Sequence, residues 1–380
     1  MKVLIDCTQI TRNKAGVGMY ALNLVNHLVN RQNQGFQVVL LVQDDDPDFC
    51  FDPAVAKSIS VPSRFFRILP LRLLMEQLYI PWIASRLKVD VIHSLHYSFP
   101  LMRTRARRFV TIHDMTSFII PEVHTRAKRM YFHFFIRAAT YLADCLIFDS
   151  NSTRSDWADL FPGCAKPVFV TLMGKSEIFK PDLDPQAIRK VLDQLKISTP
   201  YVLFLGTIEP RKNLLRLVSS FARIADLFPL HHLVIAGMKG WMYDGLFELV
   251  AQLKLEKRIV FTGFVAEGDK PYLINGADAF AYLSLYEGFG IPVLEALACG
   301  IPTLTSNTSS LLEVAGDAAL LADPTSIDSI TFNLRKILSD TATRQSLRSK
   351  SLIQAARFDW GFTADQTMKA YTGLGARGDN

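Results

Sequence analysis

Residues 278–300 constrain the fold more than any other stretch of the chain. An apolar run at 279–283 leads into a polar turn that contains two glycines, and Pro292 then opens an apolar helix that ends near Gly300. A buried strand, a short turn and a proline at the first helical position predict a strand–loop–helix unit of an α/β sheet. The turn and the helix start direct several backbone N–H groups at one spot, which suits an anion or a row of hydroxyl groups.

Two carboxylates flank that spot. Glu287 lies in the turn, and Glu295 lies about one turn into the helix. Because the helix dipole favours acidic groups near a helix N-terminus, a charged and solvated first turn is the simpler interpretation of either residue alone. The Gly-Phe-Gly of residues 288–290 and the proline between the two glutamates make the pair more specific.

Length and composition predict a globular protein with two domains. The chain has 380 residues, of which 49% are hydrophobic and 21% are charged, which exceeds one ordinary core and excludes a disordered chain. No apolar stretch is long enough for a transmembrane helix, and the N-terminal apolar run is too short for a signal peptide. Five cysteines without paired spacing predict reduced thiols, no metal site and a cytoplasmic location.

The positive charge lies in the first half of the chain. Residues 1–175 contain 21 Lys and Arg against 14 Asp and Glu, which gives +7, and the remainder carries −1 of the net charge of +6. Basic and aromatic residues alternate with apolar ones at 62–88, 102–108 and 126–137. Core helices explain this pattern, and so does a face that rests on an anionic membrane. No nucleic-acid-binding module accompanies these segments, so we expect no nucleic acid partner.

Strands and helices alternate along both halves, which predicts two doubly wound parallel sheets. The composition changes at about 175–181, where we place the domain boundary. Predicted strands lie at 3–6, 36–42, 89–93, 109–113, 145–149, 168–172, 202–206, 233–237, 259–265, 279–283, 301–305 and 319–321.

Arg211 and Lys212 are the clearest candidates for an anion site. They follow a predicted strand and precede Asn213, which can cap the next helix. Two adjacent cations with no acid to neutralise them repel each other, so we expect a diphosphate to bind there. An exposed basic turn is the alternative.

Two motifs suggest a metal but have simpler explanations. Residues 44–48 contain an Asp-x-Asp pattern after a strand, and we interpret it as a solvated acidic loop. His93 and His96 have no carboxylate or thiol to complete a site, and we expect a hydrogen-bonded pair. The sequence therefore predicts no metal.

Residues 287–302 match E-G-F-G-x-P-x-x-E-A-x-A-x-G-x-P in full. The chain resembles the retaining glycosyltransferases of family 4 (glycosyl transferases group 1) over nearly its whole length. The resemblance implies the GT-B fold, with two Rossmann-like domains that face a central cleft. It implies an acceptor-binding domain at 1–177, a nucleotide-sugar-binding domain at 178–360, and a C-terminal helix at 361–380 that packs back on the first domain.

The resemblance also implies the roles of site residues. Arg211 and Lys212, in the pattern G-x-x-x-x-R-K-N, hold the donor diphosphate. Glu287 contacts the sugar hydroxyls, Glu295 the ribose hydroxyls, and His113, in T-x-H-D, the donor sugar near the reacting carbon. The implied catalytic residues are His113, Arg211, Lys212 and Glu287. The implied donor-binding residues are Gly16, Gly18, Gly206, Gly263, Phe264, Val265, Gly288, Phe289, Gly290, Ile291 and Glu295.

The expected activity is transfer of a hexose with retention of configuration at the anomeric carbon, without a cofactor. The motifs resemble those of bacterial mannosyltransferases of surface-polysaccharide assembly, including lipopolysaccharide, which implies GDP-mannose as donor and a glycan or lipid-linked saccharide as acceptor. Such an enzyme works in the cytoplasm or at the inner face of the cell membrane. The alternatives are a UDP-sugar-dependent glycosyltransferase, an enzyme similar to UDP-N-acetylglucosamine 2-epimerase, and a non-catalytic nucleotide-sugar-binding protein.

Overall fold

The chain folds into two compact units. The computed structural model describes residues 1–10, 14, 16–33, 35–49, 51–52 and 56–373. The first unit comprises Met1–Gly174 and the described part of Asp359–Asn380, and the second comprises Lys175–Phe358. The first unit therefore ends three residues before the predicted domain end at 177. The second unit ends two residues before the predicted domain end at 360, and the chain then re-enters the first unit.

The first unit is built on a sheet of seven parallel strands. Their order in the sheet is β3-β2-β1-β4-β5-β6-β7. The strands are rich in Val, Ile and Leu, and the central ones are buried along most of their length, as expected for a parallel sheet covered on both faces. They are β1 (Lys2–Asp6), β2 (Gln37–Gln43), β3 (Lys57–Val61), β4 (Val91–Ser94), β5 (Arg107–Ile112), β6 (Cys145–Phe148) and β7 (Val168–Val170).

Helices follow most strands of this sheet, and the last helix of the chain returns to it. That helix begins at Trp360, and Tyr371 near its end is fully buried. The predicted C-terminal helix reached residue 380, and residues 374–380 lie outside the described part of the chain. The helices of this unit are α1 (Val17–Val29), α2 (Ser63–Phe66), α3 (Leu69–Leu87), α4 (Thr116–Ile119), α5 (Arg126–Leu142), α6 (Asn151–Leu160) and α15 (Trp360–Gly373).

The second unit contains a sheet of six parallel strands. Their order is β10-β9-β8-β11-β12-β13. The strands are β8 (Tyr201–Leu205), β9 (His232–Ala236), β10 (Ile259–Gly263), β11 (Ala279–Tyr282), β12 (Thr303–Ser306) and β13 (Ala319–Ala322). The helices are α7 (Pro185–Gln194), α8 (Leu214–Ala222), α9 (Asp244–Gln252), α10 (Lys270–Asn275), α11 (Ile291–Ala298), α12 (Ser310–Ala315), α13 (Ile327–Ser339) and α14 (Thr341–Ala355).

The strand order of each sheet reverses at one point. In the first sheet this point lies between β1 and β4, and in the second it lies between β8 and β11. Connections from the two neighbouring strands run to opposite sides there, which leaves a crevice at the carboxyl ends where α/β proteins bind ligands. The predicted fold class of doubly wound parallel sheets is confirmed.

Among the described residues, no helix combines the length and the hydrophobicity that a membrane span requires.

Candidate active site

Two loops meet at the strand-order reversal of the second sheet. One loop follows β8 and carries Arg211, and the other follows β11. The backbone N–H of Leu285 donates to the carbonyl of Arg211 over 2.9 Å. The side-chain amide of Asn213 donates to the carbonyls of Leu283 and Pro324 at 3.0 and 2.7 Å. The loops are thus fixed to each other by hydrogen bonds rather than by apolar packing alone.

Asn213 occupies the N-cap position of α8, as predicted, but its side chain makes no capping hydrogen bond. The residue has a left-handed backbone, with φ of 59°. Asparagine adopts this conformation more readily than most residues because its short polar side chain bonds locally. Its amide joins the two loops instead.

The carboxylate of Glu287 pairs with both cations of the first loop. Its Oε2 accepts from Nη1 of Arg211 and its Oε1 accepts from Nζ of Lys212, both over 2.6 Å. Arg211 also pairs with Glu209, whose Oε1 lies 2.8 Å from its Nη2. The expectation that no acid neutralises the two cations was wrong, because two glutamates balance them.

Burial and these neighbours set the ionisation of the group. Burial alone would raise the pKa of Glu287, but Arg211 and Lys212 lower it to about 2. Burial and the neighbouring Arg211 lower the pKa of Lys212, and Glu287 opposes this effect. Glu287 is therefore anionic at neutral pH and holds two positive groups in fixed positions.

The hydroxyl group of Tyr282 completes this arrangement. It accepts from Nζ of Lys212 at 2.6 Å and donates to Oε1 of Glu287 at 3.0 Å. The Tyr282 ring stacks between Phe204 and Phe280, with centroids 5.6 and 6.1 Å away, and is almost fully buried. Sequence reasoning missed both Tyr282 and Glu209. Tyr282 lies within the apolar run at 279–283, where the sequence predicts only a buried strand.

The glycine turn after Glu287 is held by two serines of the next loop. The hydroxyl of Ser309 accepts from the N–H of Glu287 at 3.0 Å, and that of Ser310 lies 2.8 Å from the carbonyl oxygens of Glu287 and Phe289. Gly290 has φ of 108° and precedes α11. For the N–H groups of Gly290 and Ile291 the described residues provide no acceptor. Gly288, Phe289 and Gly290 are buried, and Ile291 is half-buried.

Glu295 lies in a different electrostatic environment from Glu287. It is buried on α11, and burial raises its pKa to about 8, with Lys270 only partly offsetting this effect. The ammonium group of Lys270 forms an ion pair with Glu267. Burial, to which the charge of Glu267 adds, therefore keeps Glu295 protonated at neutral pH, although Glu295 and Glu267 both raise the pKa of Lys270.

Glycines also end the strands beside β8. Gly206 follows β8 and its N–H donates to the carbonyl of Ala236 at 2.9 Å. Gly237 follows β9 and donates to the carbonyl of Gly263, also at 2.9 Å. At the end of β10, Phe264 is exposed and Val265 is buried. Gly206 and the 263–265 segment, which are implied donor-binding residues, therefore lie at the same carboxyl edge as the charged group.

Gly16, Gly18 and His113 belong to the first unit. Gly16 is exposed, has φ of 48° and precedes α1, and Gly18 is buried in its first turn. Lys14, in the same loop, pairs with Asp46 and Asp48 at 2.6 and 2.7 Å. The interpretation of 44–48 as a solvated loop was therefore wrong for Asp46, which is buried against Lys14.

Both ring nitrogens of His113 have protein partners. Nδ1 faces the carboxylate of Asp149, and Nε2 lies 2.8 Å from the carbonyl oxygen of Leu95. Burial would lower the pKa of His113, but Asp149 raises it above the ordinary value. Two acceptors on one ring favour the doubly protonated form, so the ring is anchored at the end of β5.

His93 and His96 do not pair with each other, so this prediction was wrong. His93 bonds to the hydroxyls of Tyr371 and Thr111 at 2.6 and 2.8 Å. His96 instead packs edge-on against Tyr97, with ring centroids 4.7 Å apart. No cluster of three or more metal-binding side chains was found in the described part of the chain.

Comparisons with known proteins identify the family of the chain. The model for glycosyl transferases group 1 matches residues 188–353, and the model for glycosyltransferase family 4 matches residues 15–171. O-antigen chain mannosyltransferase B from Escherichia coli is 31% identical over 98% of this chain and 99% of its own length. The chain belongs to the family 4 glycosyltransferases.

Two further proteins are similar to this glycosyltransferase. An N-acetylgalactosaminyltransferase from Campylobacter jejuni, named for a diphospho-undecaprenol-linked acceptor, is 30% identical over 49% of this chain and 50% of its own length. Anabaena HepE, solved with UDP and glucose, superposes with a TM-score of 0.78 at 19% identity, covering 98% of this chain and all of that one. The latter likeness supports the GT-B fold, as predicted.

Removing the Tyr282 hydroxyl from this glycosyltransferase is expected to reduce its activity. The Tyr282→Phe variant loses two hydrogen bonds to charged groups, each worth about 1.5–3 kcal/mol, and the Lys212 ammonium is no longer held from one side. We expect kcat to fall about tenfold or more. Steady-state rates with the preferred donor measure this change. Tyr201→Phe is the matched control, because Tyr201 is also buried and donates only to the carbonyl of Leu273. Equal rates for Tyr282→Phe and wild type would contradict the prediction.

The neutral form of Glu295 predicts a specific pH dependence of stability. The folded pKa of about 8 lies above the ordinary value of 4.5, so the folded state binds more protons than the unfolded state between these values. Its contribution therefore falls as pH rises through this window, by up to about 1.4 kcal/mol per pH unit. Relative to wild type, Glu295→Gln is expected to gain stability from pH 5 to pH 8, measured by urea unfolding.

The exposed Glu256 provides the control for this measurement. Glu256→Gln should track wild type at both pH values. If the stability of Glu295→Gln relative to wild type stays constant, or falls, as pH rises from 5 to 8, Glu295 is ionised in the folded protein.

Proposed function

We propose that this enzyme transfers mannose from GDP-mannose to a growing glycan or lipid-linked saccharide in cell-surface polysaccharide synthesis, with retention of configuration. The observation that carries the proposal is the group of Arg211, Lys212 and Glu287 at the strand-order reversal of the second sheet. The similarity to an O-antigen mannosyltransferase over both chains supports the choice of sugar.

The proposed chemistry depends on charge that develops on the departing diphosphate. Breaking the bond between sugar and phosphate adds negative charge to the leaving oxygen, and fixed cations stabilise that charge most where burial excludes water. An ammonium group has three N–H donors, and the protein contacts of Lys212 use two of them. The third, with the N–H groups of Gly290 and Ile291, is available to the phosphates.

Glu287 has two effects in this scheme. It holds the two cations 2.6 Å from one carboxylate before the donor arrives, so no reorganisation is needed when the diphosphate binds. Its anionic form also accepts hydrogen bonds from sugar hydroxyls. We assign no nucleophile, and the leaving phosphate takes the acceptor's proton.

The remaining donor contacts are proposed from their places in the sheet. Glu295 binds the ribose hydroxyls, and the backbone from Gly263 to Val265 binds the base beside Gly206. In the first unit, Gly16 and Gly18 approach the donor phosphate, and His113 contacts the donor sugar. Because both ring nitrogens of His113 are engaged, this contact requires the ring to release one partner or uses the backbone carbonyl. No metal ion takes part, since the cations of the site replace it.

A saccharide acceptor attached to a lipid places the enzyme at the inner face of the cell membrane. The name of the Campylobacter relative includes a lipid diphosphate acceptor, and the positive charge of this chain lies in the first half of its sequence. The proposal therefore includes a peripheral contact of the first unit with anionic lipid.

A UDP-hexose is the second candidate donor. The solved structure of HepE contains UDP and glucose. The similarity to HepE is lower than that to the E. coli mannosyltransferase, so we rank GDP-mannose first.

Nucleotide release from a panel of donors tests the proposal. Purified enzyme is incubated with GDP-mannose, UDP-glucose, UDP-galactose or UDP-N-acetylglucosamine, each with EDTA or with Mg²⁺, and an oligomannose acceptor. We expect GDP release from GDP-mannose alone, at equal rates under both conditions, and an α-linked product by NMR. Turnover of a UDP-sugar, dependence on Mg²⁺ or a β-linked product would each reject the corresponding part of the proposal.

A further inference from the structure

Two helices of the first unit expose stripes of large apolar side chains. On α3, Leu71, Leu74, Leu78 and Trp82 follow one another at three- or four-residue spacing, which aligns them on one face. They are 37–58% exposed. The opposite side of the same helix is covered, because Ile80 and Ile83 pack into the core beneath the sheet. The exposed stripe is therefore additional to the apolar face that folding requires.

The neighbouring helix α5 repeats this pattern. Met130, Phe134 and Tyr141 recur at spacings of four and seven and are 55–71% exposed. The guanidinium of Arg72 on α3 donates to the hydroxyl of Tyr131 on α5 over 2.8 Å, so the two helices are neighbours. We call these seven residues the α3–α5 face. Isolated exposed apolar residues are ordinary, but two stripes on adjacent helices mark an interaction surface.

The charges on both helices have one sign. The two helices carry six basic residues, and Glu76, the single acidic residue in their sequences, is fully buried. The guanidinium of Arg86 lies 5.4 Å from the centroid of the Trp82 ring, beside the apolar stripe. Aliphatic and aromatic side chains with basic groups around them match the acyl chains and anionic headgroups of a lipid bilayer.

We propose that the α3–α5 face docks on an anionic lipid bilayer. The apolar stripes enter the boundary between headgroups and acyl chains, and the basic side chains remain among the headgroups. This identifies the surface behind the membrane contact included in the proposed function. It does not depend on the donor sugar, and its test requires no turnover.

Two other occupants fit the face less well. In a symmetric dimer the same patch meets itself, so the basic residues of one copy would face those of the other without an acid between them. Nucleic acid satisfies basic groups, but it offers no apolar phase for leucine and methionine side chains. If the protein binds neither kind of vesicle, an acidic, amphipathic protein partner becomes the better occupant of the α3–α5 face.

Vesicle flotation tests the proposal with the full chain. Vesicles of pure phosphatidylcholine are compared with vesicles containing 30% phosphatidylglycerol. We expect binding to the anionic vesicles and about tenfold weaker binding to neutral ones, and we expect 0.5 M NaCl to weaken binding because salt screens exposed charges. Equal binding to both kinds of vesicle, or to neither, would overturn the proposal.

Paired variants separate the contribution of the apolar side chains from that of the basic side chains. Leu74→Gln with Leu78→Gln removes the centre of the α3 stripe, and its control is Leu227→Gln with Leu230→Gln, two exposed leucines of the second unit. We expect the α3 pair to lower vesicle affinity about tenfold or more and the control pair to leave it unchanged.

Basic residues are tested in the same way. One double variant combines Arg126→Gln and Arg129→Gln on α5. Its control combines Arg189→Gln and Lys190→Gln, at exposed positions on α7. Since each basic group near an anionic surface contributes about a fivefold factor, we expect a loss of more than tenfold only for the α5 pair. Because all changes are at exposed positions, circular dichroism and thermal midpoints should match wild type.

Two results would reject the bilayer as the occupant. One is equal loss of binding in the α3 or α5 pairs and their controls. The other is a concentration-dependent dimer in sedimentation velocity that the α3 pair abolishes, which would assign the face to a second copy.

Discussion

Replacing Lys212 by alanine is expected to lower kcat by roughly 10²–10³-fold, the usual effect of removing one fixed group that stabilises developing negative charge. In the folded protein this ammonium is buried and lies 2.6 Å from both the Tyr282 hydroxyl and the Glu287 carboxylate. Under the proposed function, its removal deletes a charge that would face the departing diphosphate. The same change leaves Glu287 with Arg211 and Tyr282, so the carboxylate keeps two partners and the fold should survive.

A neighbouring cation provides the control for this variant. Arg216 lies on α8 and donates to the side-chain oxygen of Asn213 at 2.9 Å. Arg216→Ala should keep kcat within a few-fold of wild type. Initial rates with saturating donor measure kcat for both variants. Their thermal midpoints show whether both keep the wild-type fold. A Lys212→Ala enzyme with near-native turnover would remove the site assignment, whatever the donor sugar is.

Replacing Gly237 by alanine is expected to destabilise the second unit by more than about 3 kcal/mol. A Cβ atom at this position would lie 2.0 Å from the carbonyl oxygen of Gly206, which is backbone and cannot rotate away. The φ of 146° adds strain for any residue with a side chain. We expect insoluble protein or a thermal midpoint lowered by roughly 6 °C or more.

Gly245 is the matched control for Gly237. It lies within α9, where an added Cβ meets no atom within 4 Å, and alanine is favoured over glycine in a helix interior by roughly 1 kcal/mol. Gly245→Ala should therefore leave the midpoint unchanged or raise it. If Gly237→Ala unfolds at the same temperature as wild type, the close approach of Gly237 to the Gly206 carbonyl does not exist in the folded protein.

The sequence was sufficient for the fold because local patterns repeat along it. Apolar runs of four to seven residues, each followed by a polar turn and an amphipathic helix, predicted strands that the structure confirms within about two residues of their ends. Pro292 similarly predicted the start of α11, which begins at Ile291. The six strands of the second sheet, six of the seven strands of the first and the family could thus be predicted from residues close together in the chain. The edge strand β3 (Lys57–Val61), which has no continuous apolar run, was missed.

The pairing of charges could not be predicted in this way. Lys212 and Glu287 are separated by 75 positions, and nothing local indicates that one carboxylate lies between two cations. The two cations were therefore expected to lack a counter-charge. Tyr282 lies in a run predicted as a buried strand, and its ring is indeed stacked there, but only the structure shows where its hydroxyl points. Asn213 has a typical capping sequence position, but its left-handed backbone prevents that role.

The return of the last helix determines when the first unit can be completed during synthesis. Tyr371 on α15 bonds to His93 over 2.6 Å and contacts the ring of Phe109 at 5.3 Å in the middle of the first sheet. During translation, the whole second unit up to Phe358 is synthesised before this residue. The earlier-made half therefore waits, with an unfilled position beside β4, until translation of the later half has ended. Release of an interrupted chain would leave that half without its final helix, so only full-length product reaches the mature state.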